Sequence, residues 1–390
     1  MSGGAASETA VTMAPIGTKT QYEKQSNDAE SKNKSGSKRH LRGYTGAMLM
    51  VIFGAGASYD SAPAFRPSLT TGGPWRPPLA KDLFADTNHA FGTFVQNYPK
   101  LAHILPYLRQ PSNGRSVEQV LENLVEQGKE NPEAIRELAS VRFYLCELLH
   151  NVTQKWLREI DRVTNYAPLI REILRFNKTG EEICLVTFNY DLLLENALYS
   201  FDFKSRDPVE QLDSHPILKL FKLHGSVNWS RLVDLPEGAR LQPQTLIQQA
   251  DTIRLTDLFV RANATEPNEM YAFAKPVFPA IAIPVQTKSE QYFECPVAHR
   301  NYLVEMLPHV TKILIIGWQA KEAHFLGMLR SRIPLLRHVM IIGAKEGDAR
   351  ETLTHFLAEI KPPQLSSVSF AHEGFTEFIV NREGDSFFSA

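Results

Sequence analysis

The sequence predicts an α/β fold, in which a mainly parallel sheet carries an inserted helical subdomain. Short runs that are apolar on both faces recur along the chain, as in strands buried between two layers of helices. Helical patterns separate several of these runs, as crossover helices require. The stretch between the first two runs is too long for one crossover helix, so the helical subdomain is placed at roughly residues 80–180. The predicted strands are Leu49–Phe53, Ile183–Thr187, Leu218–Leu223, Ile313–Gly317, Val339–Gly343 and Val368–Phe370.

Three helices are predicted within the inserted stretch. Ser116 is followed by Gln119, which is the spacing of a capping box at the start of a helix. Apolar residues at helical spacing come directly after it. A second helix is predicted from Glu133 to about Arg158, and a third over Leu169–Phe176.

Composition and charge exclude several classes of protein. The chain has 390 residues and a net charge of −1, so nothing global indicates a nucleic-acid or membrane-surface binder. It contains no apolar run of the roughly 18 residues that a membrane span needs, and its N-terminus lacks the apolar core of a signal peptide. Cys146, Cys184 and Cys295 lie far apart, which excludes a disulfide framework and a zinc site built on Cys-x-x-Cys. We therefore expect a soluble, cytoplasmic protein.

Residues 1–46 differ in kind from residues 47–390. They are rich in Ser, Gly, Ala, Lys and Asn and show almost no apolar periodicity. A segment of this composition cannot bury enough apolar surface to order itself, so it is predicted to be a disordered tail that does not contribute to activity. The single folded domain is predicted to begin at residue 47.

The first strand ends in a glycine-rich turn of small residues. Small residues in this position let the backbone approach a phosphate group, and the next helix offers free N–H groups. The alternative is an ordinary strand-to-helix turn. A dehydrogenase is disfavoured, because Tyr59 stands where its fingerprint has a third glycine and no acidic residue follows at the required distance. The residues of the turn are Gly54, Ala55, Gly56, Ala57 and Ser58.

Two further polar motifs follow predicted strands. In the segment Thr187-Phe-Asn-Tyr-Asp191, the side chains of Asn189 and Asp191 point the same way if the strand continues, and both suit hydrogen bonding to a ligand. Their alternative role is a turn with a helix cap. In the segment Leu-His-Gly-Ser, His224 suits a general base and Gly225 lets a ligand come close, although a lone histidine can also be structural.

In this order, the three motifs resemble those of the sirtuin (SIR2) family. Ile315-Ile-Gly317-Trp318 resembles the strand-end segment that contacts the cofactor ribose in that family. Pro63-Ala-Phe65-Arg66 is similar to the family's loop near the nicotinamide, although it lies one residue closer to the glycines. The resemblance implies a Rossmann-like, sirtuin-type sheet, use of NAD⁺ and a catalytic pair at Asn189 and His224. It also implies that the glycine turn, with Gly56 leaving room, receives the pyrophosphate, and that Asp191, Phe65 and Arg66 lie near the nicotinamide.

Departures from the family narrow the expected activity. Sirtuin deacylases carry a four-cysteine zinc module, which three cysteines cannot build, and Phe188 stands where they usually have Gln. The stretch from Gly73 to Leu83, and Ile283-Pro284 followed by Lys288, look like bacterial SIR2-like proteins of anti-phage defence. That likeness implies an NAD⁺ glycohydrolase that needs no metal. It further implies a homo-oligomer, often with a partner ATPase or phage-sensing protein. A protein deacylase and a non-catalytic NAD⁺ or ADP-ribose sensor are the alternatives.

Overall fold

The predicted parallel sheet is present in the computed structural model of the chain. Six strands run parallel in the order β3-β2-β1-β7-β8-β9, so the predicted Rossmann-like, mainly parallel α/β fold is confirmed. The structure describes residues 48–64, 75–85, 89–111, 114–212, 214–285 and 293–390. The strands of this sheet are β1 (Met48–Phe53), β2 (Ile183–Thr187), β3 (Leu218–Lys222), β7 (Val310–Ile316), β8 (His338–Ile342) and β9 (Ser367–Ala371).

The register of the sheet brings four strands to the same edge. Phe53 at the end of β1 is paired with Thr187 at the end of β2 and with Ile316 at the end of β7. Thr187 is in turn paired with Lys222 at the end of β3. The loops that follow β1, β2, β3 and β7 therefore begin side by side at the carboxyl edge of the sheet.

Helices flank both sheets. Between β1 and β2 the chain forms the expected helical run, and both hydrogen bonds of the Ser116–Gln119 capping box are present. The third predicted helix begins at Tyr166 rather than Leu169, because Asn165 already closes its first turn. The helices are α1 (Ala55–Tyr59), α2 (His89–Val95), α3 (Pro99–Arg109), α4 (Val117–Gln127), α5 (Pro132–Glu159), α6 (Tyr166–Phe176), α7 (Leu193–Leu198), α8 (Pro243–Gln248), α9 (Pro267–Met270), α10 (Val297–Met306), α11 (Ala323–Arg332), α12 (Glu346–Ile360), α13 (Gly374–Val380) and α14 (Asp385–Ser389).

A second sheet was not predicted from the sequence. Its three antiparallel strands are β4 (Gly225–Val233), β5 (Leu255–Arg261) and β6 (Val277–Ile281), in the order β5-β4-β6. The strand β4 starts at Gly225, directly after His224, so the chain passes from one sheet to the other within this motif.

The long helix α5 connects two hydrophobic cores. Along one part of its length, Phe143 meets Phe278 of the second sheet edge to face, with ring centroids 5.0 Å apart. Near its end, Trp156 packs under the parallel sheet and donates a hydrogen bond from Nε1 to Ser61 Oγ over 2.9 Å. The inserted helices and the second sheet thus share a core, and α5 fixes that core to the parallel sheet.

The described residues belong to one compact unit, which spans residues 46–390. Within these residues, no helix combines the length and the apolar composition that crossing a membrane would require. The predicted tail, residues 1–46, lies outside the described residues.

Candidate active site

Three glycines pack backbone to backbone where β1 and β7 end. A Cβ on Gly54 would lie 2.5 Å from the carbonyl oxygen of Gly317, and one on Gly56 would lie 2.8 Å from the Cα of Gly317. Gly317 itself has a φ of +60°, and its Cβ would lie 2.3 Å from the backbone nitrogen of Ala57. The position that a Cβ of Gly56 would occupy is therefore filled by Gly317, and contact of this turn with a pyrophosphate stays a prediction.

The amides of the glycine turn are also engaged within the protein. Gly54 N–H donates to Ile316 O and Gly56 N–H donates to Gly317 O, each over 3.0 Å, while Ala57 N–H donates to Gly54 O over 2.9 Å. The turn between β1 and α1 thus holds β7 in place. These three amides are therefore paired within the protein, and binding of a phosphate group at the turn stays a prediction.

Three polar side chains of the site are hydrogen-bonded to Ser58. Its hydroxyl donates to Asp191 Oδ2 over 2.7 Å and accepts from Asn189 Nδ2 over 2.9 Å. The phenolic oxygen of Tyr166, at the start of α6, lies 3.1 Å from the same hydroxyl. The strand β2 ends at Thr187, as its predicted bounds have it, and beyond its end the side chains of Asn189 and Asp191 both contact the Ser58 hydroxyl. We call Ser58, Tyr166, Asn189 and Asp191 the polar network.

The orientation of the Asn189 amide follows from its neighbours. Its Nδ2 atom donates to the carbonyl oxygen of Gly54 over 2.9 Å as well as to Ser58. A carbonyl oxygen can only accept a hydrogen bond, so the nitrogen must face Gly54 and the oxygen Oδ1 must point away from it. Asn189 therefore presents a hydrogen-bond acceptor on the side opposite the glycine turn.

The segment that carries Asp191 is tied to the neighbouring strand. The second carboxylate oxygen of Asp191 accepts from Leu193 N–H over 3.0 Å, so the predicted role as a cap of the next helix is present beside the contact with Ser58. Lys222 Nζ donates to the carbonyl of Asp191 over 2.5 Å and to Glu195 Oε1 over 2.7 Å. Burial raises the pKa of Glu195 in spite of the opposing charge of Lys222. This buried pair holds the loop after β2 against β3.

His224 lies beside this loop and is almost fully buried. Its ring centroid is 4.8 Å from that of Phe188 and 6.3 Å from that of Tyr190. Two backbone hydrogen bonds bracket it, from Leu223 N–H to Thr187 O and from Val227 N–H to Tyr190 O. The segments that carry Asn189 and His224 are therefore held side by side, as the sequence predicted from their places at strand ends.

Gly225 has a different role from the one expected. It has a φ of +83°, and a Cβ there would lie 1.9 Å from the carbonyl oxygen of Ala280 in β6. The glycine is required for the close approach of β4 and β6, since any side chain would overlap the backbone of Ala280. Its expected role in admitting a ligand stays a prediction.

Aromatic rings form the other half of the site. Phe188 stacks on Trp318 with centroids 5.3 Å apart, and Phe325 of α11 meets both rings edge to face. The indole Nε1 of Trp318 donates to Glu322. Only 5% of Trp318 is exposed, so its ring contacts protein rather than an open groove. We call Phe188, Trp318 and Phe325 the aromatic cluster.

Two predicted cofactor-binding residues, Phe65 and Arg66, lie outside the described residues, as do Gly73 and Lys288. The loop returns to the described part of the chain at Trp75. There Arg76 donates from Nε to the carbonyl of Tyr59 over 2.7 Å, and its guanidinium lies over the Tyr59 ring. The chain after the loop is thus fastened to the end of α1.

Asp60, directly after α1, binds a helix near the C-terminus. Its carboxylate accepts from the backbone N–H groups of Phe375 and Thr376 over 2.6 Å and 3.1 Å, and from the Thr376 hydroxyl over 2.6 Å. These are the donors that the first turn of α13 leaves unpaired. Asp60 was not predicted as a structural residue, because its partner lies far away in the sequence.

The described residues contain one group whose donor atoms could hold a metal ion: His103, Glu133 and Glu137. Lys100 and Arg136 form ion pairs with Glu133, which places competing cations on that carboxylate. The group lies on α3 and α5, on elements that contribute nothing to the site described above.

All three cysteines are buried and unpaired. Burial raises the pKa of each thiol, to about 12 at Cys295. Raised thiol pKa values disfavour the thiolate form, which is the form that attacks electrophiles or binds metals.

Comparison with known proteins found similarity only among solved structures. No protein-family model matches the chain, and no curated protein matches it. The chain is similar to a mutant Sir2 homologue in complex with 2′-O-acetyl ADP ribose, with 16% identity, a TM-score of 0.40, and coverage of 88% of this chain and 94% of that one. It is also similar to a Sir2 homologue–NAD complex, with 14% identity, a TM-score of 0.35, and coverage of 88% and 91%. Because identity and TM-score are both low, nothing about the chemistry of this chain is inferred from these structures.

Proposed function

We propose that the chain is an NAD⁺ glycohydrolase, which cleaves the bond between nicotinamide and ribose. In this reaction water adds to the anomeric carbon of the ribose while the glycosidic C–N bond breaks. The products are nicotinamide, ADP-ribose and one proton. The observation that carries the proposal is the fixed amide of Asn189, on a segment that backbone hydrogen bonds hold beside the segment of His224, at an edge where parallel strands end. Ligand sites of open α/β sheets occupy that edge.

Asn189 would orient the attacking water or a ribose hydroxyl. Its nitrogen is held by Gly54 and Ser58, so the oxygen Oδ1 is the atom that remains to accept a hydrogen bond from the substrate side. Departure of nicotinamide leaves positive, oxocarbenium-like charge on the ribose. An acceptor fixed before the reaction stabilises that charge without having to reorganise.

His224 would take the proton that the reaction releases. A neutral imidazole nitrogen can accept a proton from the water or from a ribose hydroxyl and pass it to solvent afterwards. Its position next to the Asn189 segment is fixed by the backbone hydrogen bonds that bracket it. No redox step is required for this hydrolysis.

The polar network would also hold the nicotinamide end of the substrate. Asp191 already accepts from Ser58 and from Leu193 N–H, but a carboxylate has about four acceptor positions, so it can take an amide N–H in addition. We keep Phe65 and Arg66 as proposed contacts of the nicotinamide, and Ala55, Gly317 and Trp318 as proposed contacts of the rest of the cofactor. These assignments rest on the sequence resemblance alone.

The test is to incubate the purified chain with NAD⁺ alone, at several protein concentrations, and to identify products by mass. The proposal predicts nicotinamide and ADP-ribose without any acylated peptide. A deacylase would release nicotinamide only when an acetylated peptide is added, and a sensor would bind NAD⁺ without turnover. Either of those results would reject the glycohydrolase. A reaction whose rate per molecule rises with concentration would support the proposed homo-oligomer.

On the sequence resemblance we further propose a biological role. An NAD⁺-depleting enzyme in the cytoplasm would serve as an effector of anti-phage defence, under the control of oligomerisation or of a partner ATPase or phage-sensing protein. Co-expression with a phage challenge tests this role, since cellular NAD⁺ should fall upon infection in the wild type. It should not fall in an Asn189→Ala strain.

A further inference from the structure

We propose that Tyr166 is a positioning residue that fixes the Asn189 amide through Ser58. Tyr166 belongs to no sequence motif and begins helix α6, which lies in the run of helices between β1 and β2. Its phenolic oxygen lies 3.1 Å from Ser58 Oγ, inside the polar network. The inference rests on the proposed function for its kinetic consequence, but its structural part can be tested without activity.

Counting protons gives the direction of each hydrogen bond. Ser58 has one hydroxyl proton, and this proton goes to Asp191 Oδ2, over 2.7 Å. The Ser58 oxygen can therefore only accept from its other two neighbours. Asn189 Nδ2 supplies one donor, and the Tyr166 hydroxyl must supply the other. With both lone pairs of Ser58 occupied, its hydroxyl has one available direction.

The phenol is suited to remain a donor. It is almost completely buried, and burial together with the Asp191 carboxylate raises the pKa of Tyr166 well above its ordinary value. The phenol thus keeps its proton at neutral pH and well above it. Because the oxygen cannot ionise, the network does not change its hydrogen-bond pattern with pH at this position.

The ring of Tyr166 is held in place from several sides. It meets Phe53 of β1 and Phe375 of α13 edge to face, with centroids 5.3 Å and 5.5 Å apart. The preceding residue, Asn165, donates from Nδ2 to the carbonyls of Asp60 and Ala62. The packed ring therefore fixes the phenol of Tyr166. The phenol orients Ser58 by a hydrogen bond, and Ser58 in turn orients the amide of Asn189.

The test compares Tyr166→Phe with Tyr144→Phe in the full chain. Tyr144 is a matched control, because its hydroxyl is also buried and also donates one hydrogen bond, to the carbonyl of Leu83 in the other core. Two quantities are measured for each variant: kcat and KM for NAD⁺ cleavage, and hydrogen exchange of the Asn189 side-chain amide by ¹⁵N NMR. Disappearance of its signal in Asn189→Ala assigns that amide.

We expect Tyr166→Phe to lower kcat at least about tenfold with KM within about twofold, and to speed exchange of the Asn189 amide by a similar factor. Tyr144→Phe should leave both quantities at the wild-type level, although both variants lose similar stability. Unchanged amide exchange in a folded Tyr166→Phe protein, or equal losses in the two variants, would overturn the positioning role. If wild-type protein does not cleave NAD⁺, the proposed function fails, while amide exchange still decides the role of Tyr166.

Discussion

The two halves of the candidate site are built by different forces. In the polar network, every described side chain is joined to another by a hydrogen bond, and Ser58 alone contacts three of its members. In the aromatic cluster, Phe188, Trp318 and Phe325 contact one another through ring faces and edges. His224 lies at the boundary, next to Phe188 and beside the Asn189 segment.

The two kinds of contact constrain the site differently. Hydrogen bonds are directional, so a saturated network keeps its polar atoms in one arrangement. Aromatic pairs also prefer particular geometries, but they fix rings and not hydrogen-bonding atoms. Substitutions in the polar half should therefore act on the chemical step, and those at the glycine packing beneath both halves should act on the fold.

The largest effect is expected from Gly317→Val, because this position supports both halves. The new Cβ would overlap the backbone of Ala57, and the φ of +60° disfavours a branched side chain. We expect a loss of more than about 4 kcal/mol in the free energy of unfolding, or no folded protein at all. Urea denaturation measures this free energy of unfolding. The control is Gly327→Ala in α11, where a Cβ meets nothing within 4 Å and stability should not fall.

Asn189→Ala should separate chemistry from folding in the polar half. Removing the fixed acceptor is expected to lower NAD⁺ cleavage about a thousandfold, comparable to the loss of one preorganised group in an oxyanion hole. The two hydrogen bonds of Nδ2 are lost as well, at a cost of about 1–3 kcal/mol. Asn177→Ala, which removes the hydrogen bonds of Asn177 with the carbonyl of Glu181 and the hydroxyl of Thr179, is the control. Near-wild-type turnover by folded Asn189→Ala protein would contradict the assignment.

His224→Asn should show whether the boundary residue acts in catalysis. Asparagine keeps hydrogen bonding but cannot transfer a proton, so NAD⁺ should still bind while turnover falls at least about 100-fold. The matched control is His299→Asn, which changes another buried histidine, in α10. We expect the control to lower the melting temperature and to keep activity per folded molecule. If His224→Asn instead lowers the melting temperature and keeps activity per folded molecule, His224 is a structural residue. Calorimetry with NAD⁺ provides the binding measurement.

The smallest effect concerns the pH dependence of the free energy of unfolding, through a histidine outside the candidate site. Burial, with a smaller contribution from Arg261, lowers the pKa of His299 from 6.5 to about 4. The unfolded chain therefore takes up this proton first as pH falls, and stability is lost between about pH 6.5 and 4. The full loss is about 3 kcal/mol. Urea titrations at pH 7.5, 5 and 4 should show this loss in the wild type and not in His299→Asn. An equal pH dependence in both proteins would exclude His299 as its source.

The parallel sheet could be predicted because its strands are buried on both faces. Continuous apolar runs such as Ile183–Thr187 have one simple explanation, and the observed strand has the same bounds. The strand β5 was missed because its burial is irregular, with Asp257 and Leu258 exposed, so no clean alternation marks it. Antiparallel strands joined through long connections carry a weaker signal than buried parallel ones.

Sequence analysis identified only those site residues that lie within the sequence motifs. Sequence reasoning placed Asn189, Asp191 and His224 at neighbouring strand ends. In the structure Asn189 and Asp191 contact Ser58, and the segment of His224 is hydrogen-bonded beside theirs. Sequence reasoning could not find Tyr166, because no motif near that residue distinguishes a tyrosine that hydrogen-bonds to the site from an ordinary buried tyrosine. It also did not predict that Gly56 and Gly225 are required by packing, because a glycine needed by a ligand and a glycine needed by another strand look identical in one sequence.

The Asp60 contact makes the end of the chain part of the mechanics of the site. Helix α13 can fray only if its first amides leave the Asp60 carboxylate, and Asp60 follows directly on the helix that carries Ser58. Opening of the first turn of α13 therefore costs the hydrogen bonds that hold Asp60, two residues after Ser58. A cut near residue 374 would remove these hydrogen bonds, although Asp60 and Phe375 are 315 positions apart in the sequence.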